Sequence, residues 1–120
     1  MIATGTAVRT VLAVHDALAK DGITSRVLNM HTVKPIDREA VVRAAQDTGR
    51  ILAVEEHSVV GGLGSAVSEI VAEIGVGRVR RVGIPDRFVT KIAPYAELVS
   101  LCGLDAAGVE AAARELVSSP

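Results

Sequence analysis

Aromatic side chains are almost missing from this sequence: Phe88 and Tyr95 stand alone, without a tryptophan, among 120 residues. Proteins that hold single-stranded nucleic acid stack bases on aromatic rings, and those that hold duplexes carry an excess of positive charge. Here 13 basic residues meet 14 acidic ones for a formal charge of -1, so nucleic acid is not an expected partner. Cysteine is represented by Cys102 alone. That excludes an internal disulfide and fits a reducing compartment, with the cytoplasm as the default. No run approaches the roughly 18 apolar residues of a membrane span, and residues 1–10 lack the charged flank and apolar stretch of a signal peptide. The expectation is a soluble chain with no membrane partner.

What the chain does have is aliphatic bulk. Hydrophobic residues make up 49% of it, so the core must be Val, Leu, Ile and Ala, and the length suits one domain. Short β-branched or aliphatic runs alternate with longer segments whose apolar residues recur three and four apart, the pattern of βα units around a parallel sheet. A short first strand at residues 1–4 precedes a helix over 6–20 with Val8, Val11, Leu12, His15 and Leu18 on one stripe. Residues 25–30 read as the next strand, and Asp37 is placed to cap a helix that Gly49 ends. Residues 51–54 form a continuous apolar run, as expected of a central strand covered on both faces. Leu63, Ala66, Val67, Ile70, Val71 and Ile74 then mark the clearest amphipathic helix. Residues 79–84 make a fourth strand whose Arg80 and Arg81 suit a sheet edge. Beyond Pro85 the pattern turns helical, with Tyr95, Leu98, Val99 and Cys102 on one face and Val109, Ala112, Ala113, Leu116 and Val117 on another.

Several groups could carry chemistry. Gly61, Gly62 and Gly64 lie between a strand and the amphipathic helix, where free N–H groups favour anions. A tight turn, a nucleotide phosphate and another anion all remain open, although the dinucleotide fingerprint is incomplete, with Val67 at its last position. Glu55, Glu56 and His57 follow the central strand at the carboxyl end of the sheet. Adjacent strand residues point to opposite faces, so Glu55 and Glu56 should diverge rather than form a dyad. Their alternatives are acid–base work, metal binding, helix capping or a partner contact. His15 is expected to be half-buried and satisfied, and His31 and Lys34 flank a turn. Asp86 and Arg87 suit an ion pair or an interface, and Cys102 is expected to pack.

In order along the chain, ATGT at 3–6, LNMHTVKPID at 28–37, ILAVEEHSVVGGLGSAVSE at 51–69, RVGIPDRF at 81–88 and YAELVSLCGLDAAGVEAAARELV at 95–117 resemble the C-terminal domain of transketolases and 1-deoxyxylulose-5-phosphate synthases. The style is nearest to the small subunit of transketolases that are split in two. Residues 90–94 depart from the pattern, since relatives commonly have a Ser-Gly pair there. The resemblance implies a three-layer α/β/α domain with a mostly parallel sheet. Four strands are expected in the order 2-1-3-4, with a fifth, antiparallel one supplied from before the ATG segment. It also implies an enzyme that transfers a two-carbon ketol unit between sugar phosphates. In that enzyme other domains hold thiamine diphosphate and magnesium, and this one packs against them and helps build a dimer.

No catalytic, cofactor-binding or metal-binding residue of the family carries over onto this chain. What remains is a candidate interface formed by Glu55, Glu56, His57, Gly61, Gly62, Gly64, Asp86 and Arg87. The expected partners are the cofactor-binding domains or subunit of the same enzyme, and a second copy in a homo-oligomer. Two alternatives stay open: a small nucleotide-binding α/β protein, and a subunit-docking domain of a 2-oxo acid dehydrogenase-like enzyme.

Overall fold

The computed structural model describes all residues, Met1–Pro120, and its elements run β1 (Ile2–Ala3), α1 (Ala7–Lys20), β2 (Leu28–Asn29), α2 (Arg38–Thr48), β3 (Arg50–Ser58), α3 (Leu63–Ile74), β4 (Arg78–Ile84), α4 (Tyr95–Leu101) and α5 (Ala106–Ser118). The helix boundaries follow local chemistry. Asp37 Oδ1 accepts from Ala40 N at 2.9 Å, and Asp105 Oδ1 from Gly108 N at 2.9 Å, each satisfying a first-turn donor. Gly49 and Gly75 end α2 and α3 at φ 65° and 66°, left-handed values that cost a side-chain-bearing residue energy. No helix is long and apolar enough to cross a membrane.

The sheet is parallel throughout, in the order β2-β1-β3-β4, as the family pattern implies. Period-two alternation along β3 divides the core between the two sheet faces. Leu52 and Val54 join Val11, Val14 and Leu18 of α1 and Val109 of α5 on one face. Ile51 joins Val41 of α2 and Leu63, Val67 and Ile70 of α3 on the other. Residues 51–54 are all at most 2% exposed, the buried central strand that the apolar run predicts. An ion-paired Arg114, 2.5 Å from Asp21 and 2.7 Å from Glu110, ties α5 to the end of α1.

Four elements differ from their sequence expectation. The buried stripe of α1 is Ala7, Val11, Val14 and Leu18. Leu12 is 48% exposed, because the face of α1 that meets the sheet is centred on Val11 and Leu18 and turns toward Ala7 and Val14 rather than toward Leu12 and His15. The strand expected over 25–30 shortens to Leu28–Asn29, since only these residues pair with β1. The face of α4 buries nothing completely, and Tyr95 is 59% exposed. Val117 on α5 is likewise 45% exposed, while Val109, Ala112 and Ala113 are buried. The edge position of β4 stands as expected.

Candidate functional site

The carboxyl ends of the strands open beside a change of direction in strand order, where parallel α/β sheets bind their ligands and partners. The same alternation that sorts the core sorts the two glutamates. Glu55 shares the face of Ile51 and turns toward α3. Its carboxylate accepts from Leu63 N at 2.7 Å and Gly64 N at 2.8 Å, and the residue is 3% exposed. The anion at the start of α3 is therefore supplied by this chain itself. Glu56, on the face of Leu52 and Val54, accepts from Thr6 Oγ1 and Tyr95 Oη, each at 2.5 Å. These two hydroxyls hold its carboxyl below the ordinary value of 4.5, Thr6 more strongly than Tyr95. The same carboxylate pushes the Tyr95 phenol up.

Gly62 and Gly64 allow close approach, while Gly61 takes a left-handed φ of 79°. A Cβ at Gly62 would lie 2.7 Å from Glu55 Cδ and 2.8 Å from His57 Nδ1. A Cβ at Gly64 would lie 2.8 Å from Arg81 Cγ, and Arg81 Nη1 donates to Val59 O at 2.7 Å across the same turn. Gly61 N donates to Ser65 Oγ at 2.9 Å. Opposite them, Gly83 admits β3 at a register irregularity between Val54 and Ser58, where a Cβ would meet His57 O at 2.7 Å.

The candidate interface residues are thus brought to one end of the sheet, in separate roles. His57 is exposed, with Nδ1 3.0 Å from Ser58 O and 3.9 Å from Glu55 Oε2. Asp86 and Arg87 are exposed as well, in a turn where Arg87 N donates to Pro85 O at 2.6 Å. His15 is half-buried and bonded to Ser25 Oγ at 2.7 Å, and exposed His31 pairs with Thr32 Oγ1 at 2.7 Å. Cys102 packs against the core at partial burial. Thr6, Tyr95 and Arg81 escape sequence reasoning. They lie 50, 39 and 22 residues from the groups they bond, so no local spacing announces them.

The comparisons agree with this geometry. The protein family described as transketolase, C-terminal domain, matches residues 1–109. The chain is 43% identical to 1-deoxy-D-xylulose-5-phosphate synthase 1 of Geobacter sulfurreducens, over 99% of this chain and 19% of that protein. It is 48% identical to the 6-deoxy-6-sulfo-D-fructose transketolase subunit SqwH of a Clostridium species, over 73% of this chain and 27% of that subunit. A solved structure described as split gene transketolase, inactive beta4 tetramer, superposes with a TM-score of 0.91 at 38% identity, covering 98% of this chain and 38% of that one. The chain therefore spans a minor part of each relative. With the family matched over residues 1–109 and the chain 43% identical to the Geobacter relative over 99% of its length, the chain belongs to the family of transketolase C-terminal domains.

Proposed function

We propose that this chain is the structural and assembly domain of a transketolase-type enzyme that transfers a two-carbon ketol unit between sugar phosphates, and that it is not catalytic alone. The observation that supports this most is the commitment of both glutamates at the sheet end to the fold itself, on opposite faces. Acid–base catalysis needs such groups to converge on one substrate atom. Magnesium diphosphate needs several oxygen ligands around one centre. No three His, Cys, Asp or Glu side chains are grouped to hold a metal, so the donor set does not fit magnesium. In this reading thiamine diphosphate and magnesium belong to other domains or to a partner subunit of the same enzyme. A nucleotide phosphate at α3 would compete with the Glu55 carboxylate for the same N–H groups, which disfavours the nucleotide-binding alternative.

The same reading makes residues 1–120 one assembly unit, because Ala112 and Ala113 beyond the family match are core residues. It places the enzyme in the cytoplasm, as a homodimer or a larger homo-oligomer. Glu56, His57, Asp86 and Arg87, with the turn built by Glu55, Gly61, Gly62 and Gly64, form the surface facing the partner. The test is reconstitution from separate polypeptides, this chain and the cofactor-bearing remainder encoded with it. A stable complex and thiamine-dependent ketol transfer are expected only in the mixture. Transfer by this chain alone, or full transfer without it, would sink the reading. Product analysis of the mixture separates ketol transfer from 1-deoxy-D-xylulose-5-phosphate synthesis, the activity named for the Geobacter relative.

A further inference from the structure

Apolar exposure on this chain is lopsided. Phe88, Val89, Ile92 and Tyr95 are 94, 44, 101 and 59% exposed. All four lie on or at the end of the irregular strap, residues 85–94, that joins β4 to α4. Val60, in the loop after β3, is a further 59% exposed. A phenylalanine and an isoleucine left in water forgo the stabilisation that burial of their side chains would return. Contiguous apolar exposure of this kind marks an interaction site, whereas single exposed residues do not. Arg87 is exposed beside Phe88 and Tyr95 follows on the strap, so the segment has the aromatic and arginine content of interface anchors.

The strap is also pinned. Tyr95 Oη donates to Glu56, Lys91 pairs with Glu97, and Pro94 O accepts from Glu97 N at 3.0 Å and Leu98 N at 3.2 Å. Anchors carried on a held support lose less conformational freedom on binding. Elsewhere on the surface several charged side chains are paired. Arg38 with Glu73 crosses from α2 to α3, Arg43 with Glu39 lies along α2, and Arg80 with Glu115 joins β4 to α5.

We propose that the strap and Tyr95 are the surface by which this domain docks on the cofactor-bearing part of its enzyme, with Phe88 and Ile92 inserted as the apolar anchors. This rests on the assembly role proposed above. The occupant follows from proportion. The chain spans 19% of the Geobacter synthase and 27% of the Clostridium subunit, so in those relatives most of the polypeptide lies beyond the segment this chain matches. The strap carries the two most exposed large apolar side chains of the molecule, Phe88 and Ile92, to offer such a remainder.

The experiment titrates this chain against the separately expressed cofactor-bearing polypeptide and compares the wild type with a Phe88→Ser, Ile92→Ser double variant. Val117→Ser, at a half-exposed apolar site away from the strap, is the control. The double variant is expected to melt like the wild type and to bind at least about 30-fold more weakly, the loss of one interface anchor, while Val117→Ser binds normally. Hydrogen exchange on the wild type needs no substitution and should show residues 85–95 protected in the complex. Binding by the double variant within about twofold of wild type, or unchanged exchange at 85–95 in a formed complex, overturns the strap while leaving the assembly role intact. Self-association lost in the double variant with partner binding unaffected also overturns it, in favour of a second copy. No complex with wild-type chain overturns the assembly role itself.

Discussion

The Glu55 carboxylate fills the space that a side chain at Gly62 would need: a Cβ there would stand 2.7 Å from Glu55 Cδ, inside van der Waals contact. Gly62 has an ordinary extended backbone, φ −99° and ψ −152°, so crowding and not backbone strain demands the glycine. Gly62→Ala is expected to lower unfolding stability by about 1–3 kcal/mol, the usual range for overpacking. Urea denaturation measures it, and a midpoint equal to wild type would refute the crowding.

Removing the carboxylate tests the other side of that contact. Glu55→Ala leaves the Leu63 and Gly64 amides at the start of α3 without their acceptor in a buried turn. A cost of about 2–4 kcal/mol is expected, with Glu55→Gln falling between alanine and wild type because one oxygen still accepts. Equal stabilities for the alanine and wild-type chains would remove Glu55 as the cap of α3.

The Glu56 to Tyr95 bond has its own pH signature. A carboxyl held below its ordinary 4.5 contributes stability above that value and loses it as pH falls through the folded-state value. Tyr95 is shifted up from 10.0, so its contribution is present below 10.0 and is lost as pH rises through the folded-state value. Both groups are exposed, and the effect on global stability is small. Carboxyl-carbon NMR titration reads it directly: Thr6→Ala should move Glu56 back toward 4.5 further than Tyr95→Phe does. Titration curves unchanged in both variants would dissolve the pairing.

Val54→Asp should abolish folding. Val54 is 0% exposed at the centre of the sheet, and an unpaired carboxylate there costs several kcal/mol against a total of about 5–15. A soluble variant with a cooperative thermal transition would contradict the placement of β3.

Calorimetry of this chain with NAD, and with thiamine diphosphate plus magnesium, should give no binding tighter than about millimolar, where affinity falls to roughly 4 kcal/mol. Micromolar binding of NAD would revive the nucleotide reading of the glycine turn.

Local sequence determined most of the architecture, because its signals are short-ranged. The apolar run at residues 51–54, the 3.6-residue period from Leu63 to Ile74, the Asp37 cap and the Gly49 stop each act through neighbours within about four residues, and all stand in the fold. The divergence of Glu55 and Glu56 was legible too, since alternation along a strand is a local rule. Where those carboxylates land was not. Thr6 and Tyr95 meet Glu56 only after β1, β3 and α4 are brought to one end of the sheet, across 50 and 39 residues of chain. The choice between an anion site and a self-capped turn at Gly62 likewise needed tertiary structure. Sequence places a glycine and a glutamate near each other, but only the packed turn shows that the carboxylate takes the amides a phosphate would use. Spacing also misjudged Leu12 and Val117, because a helix's apolar period says that one face is buried while docking on the sheet decides which residues at its margin stay in water.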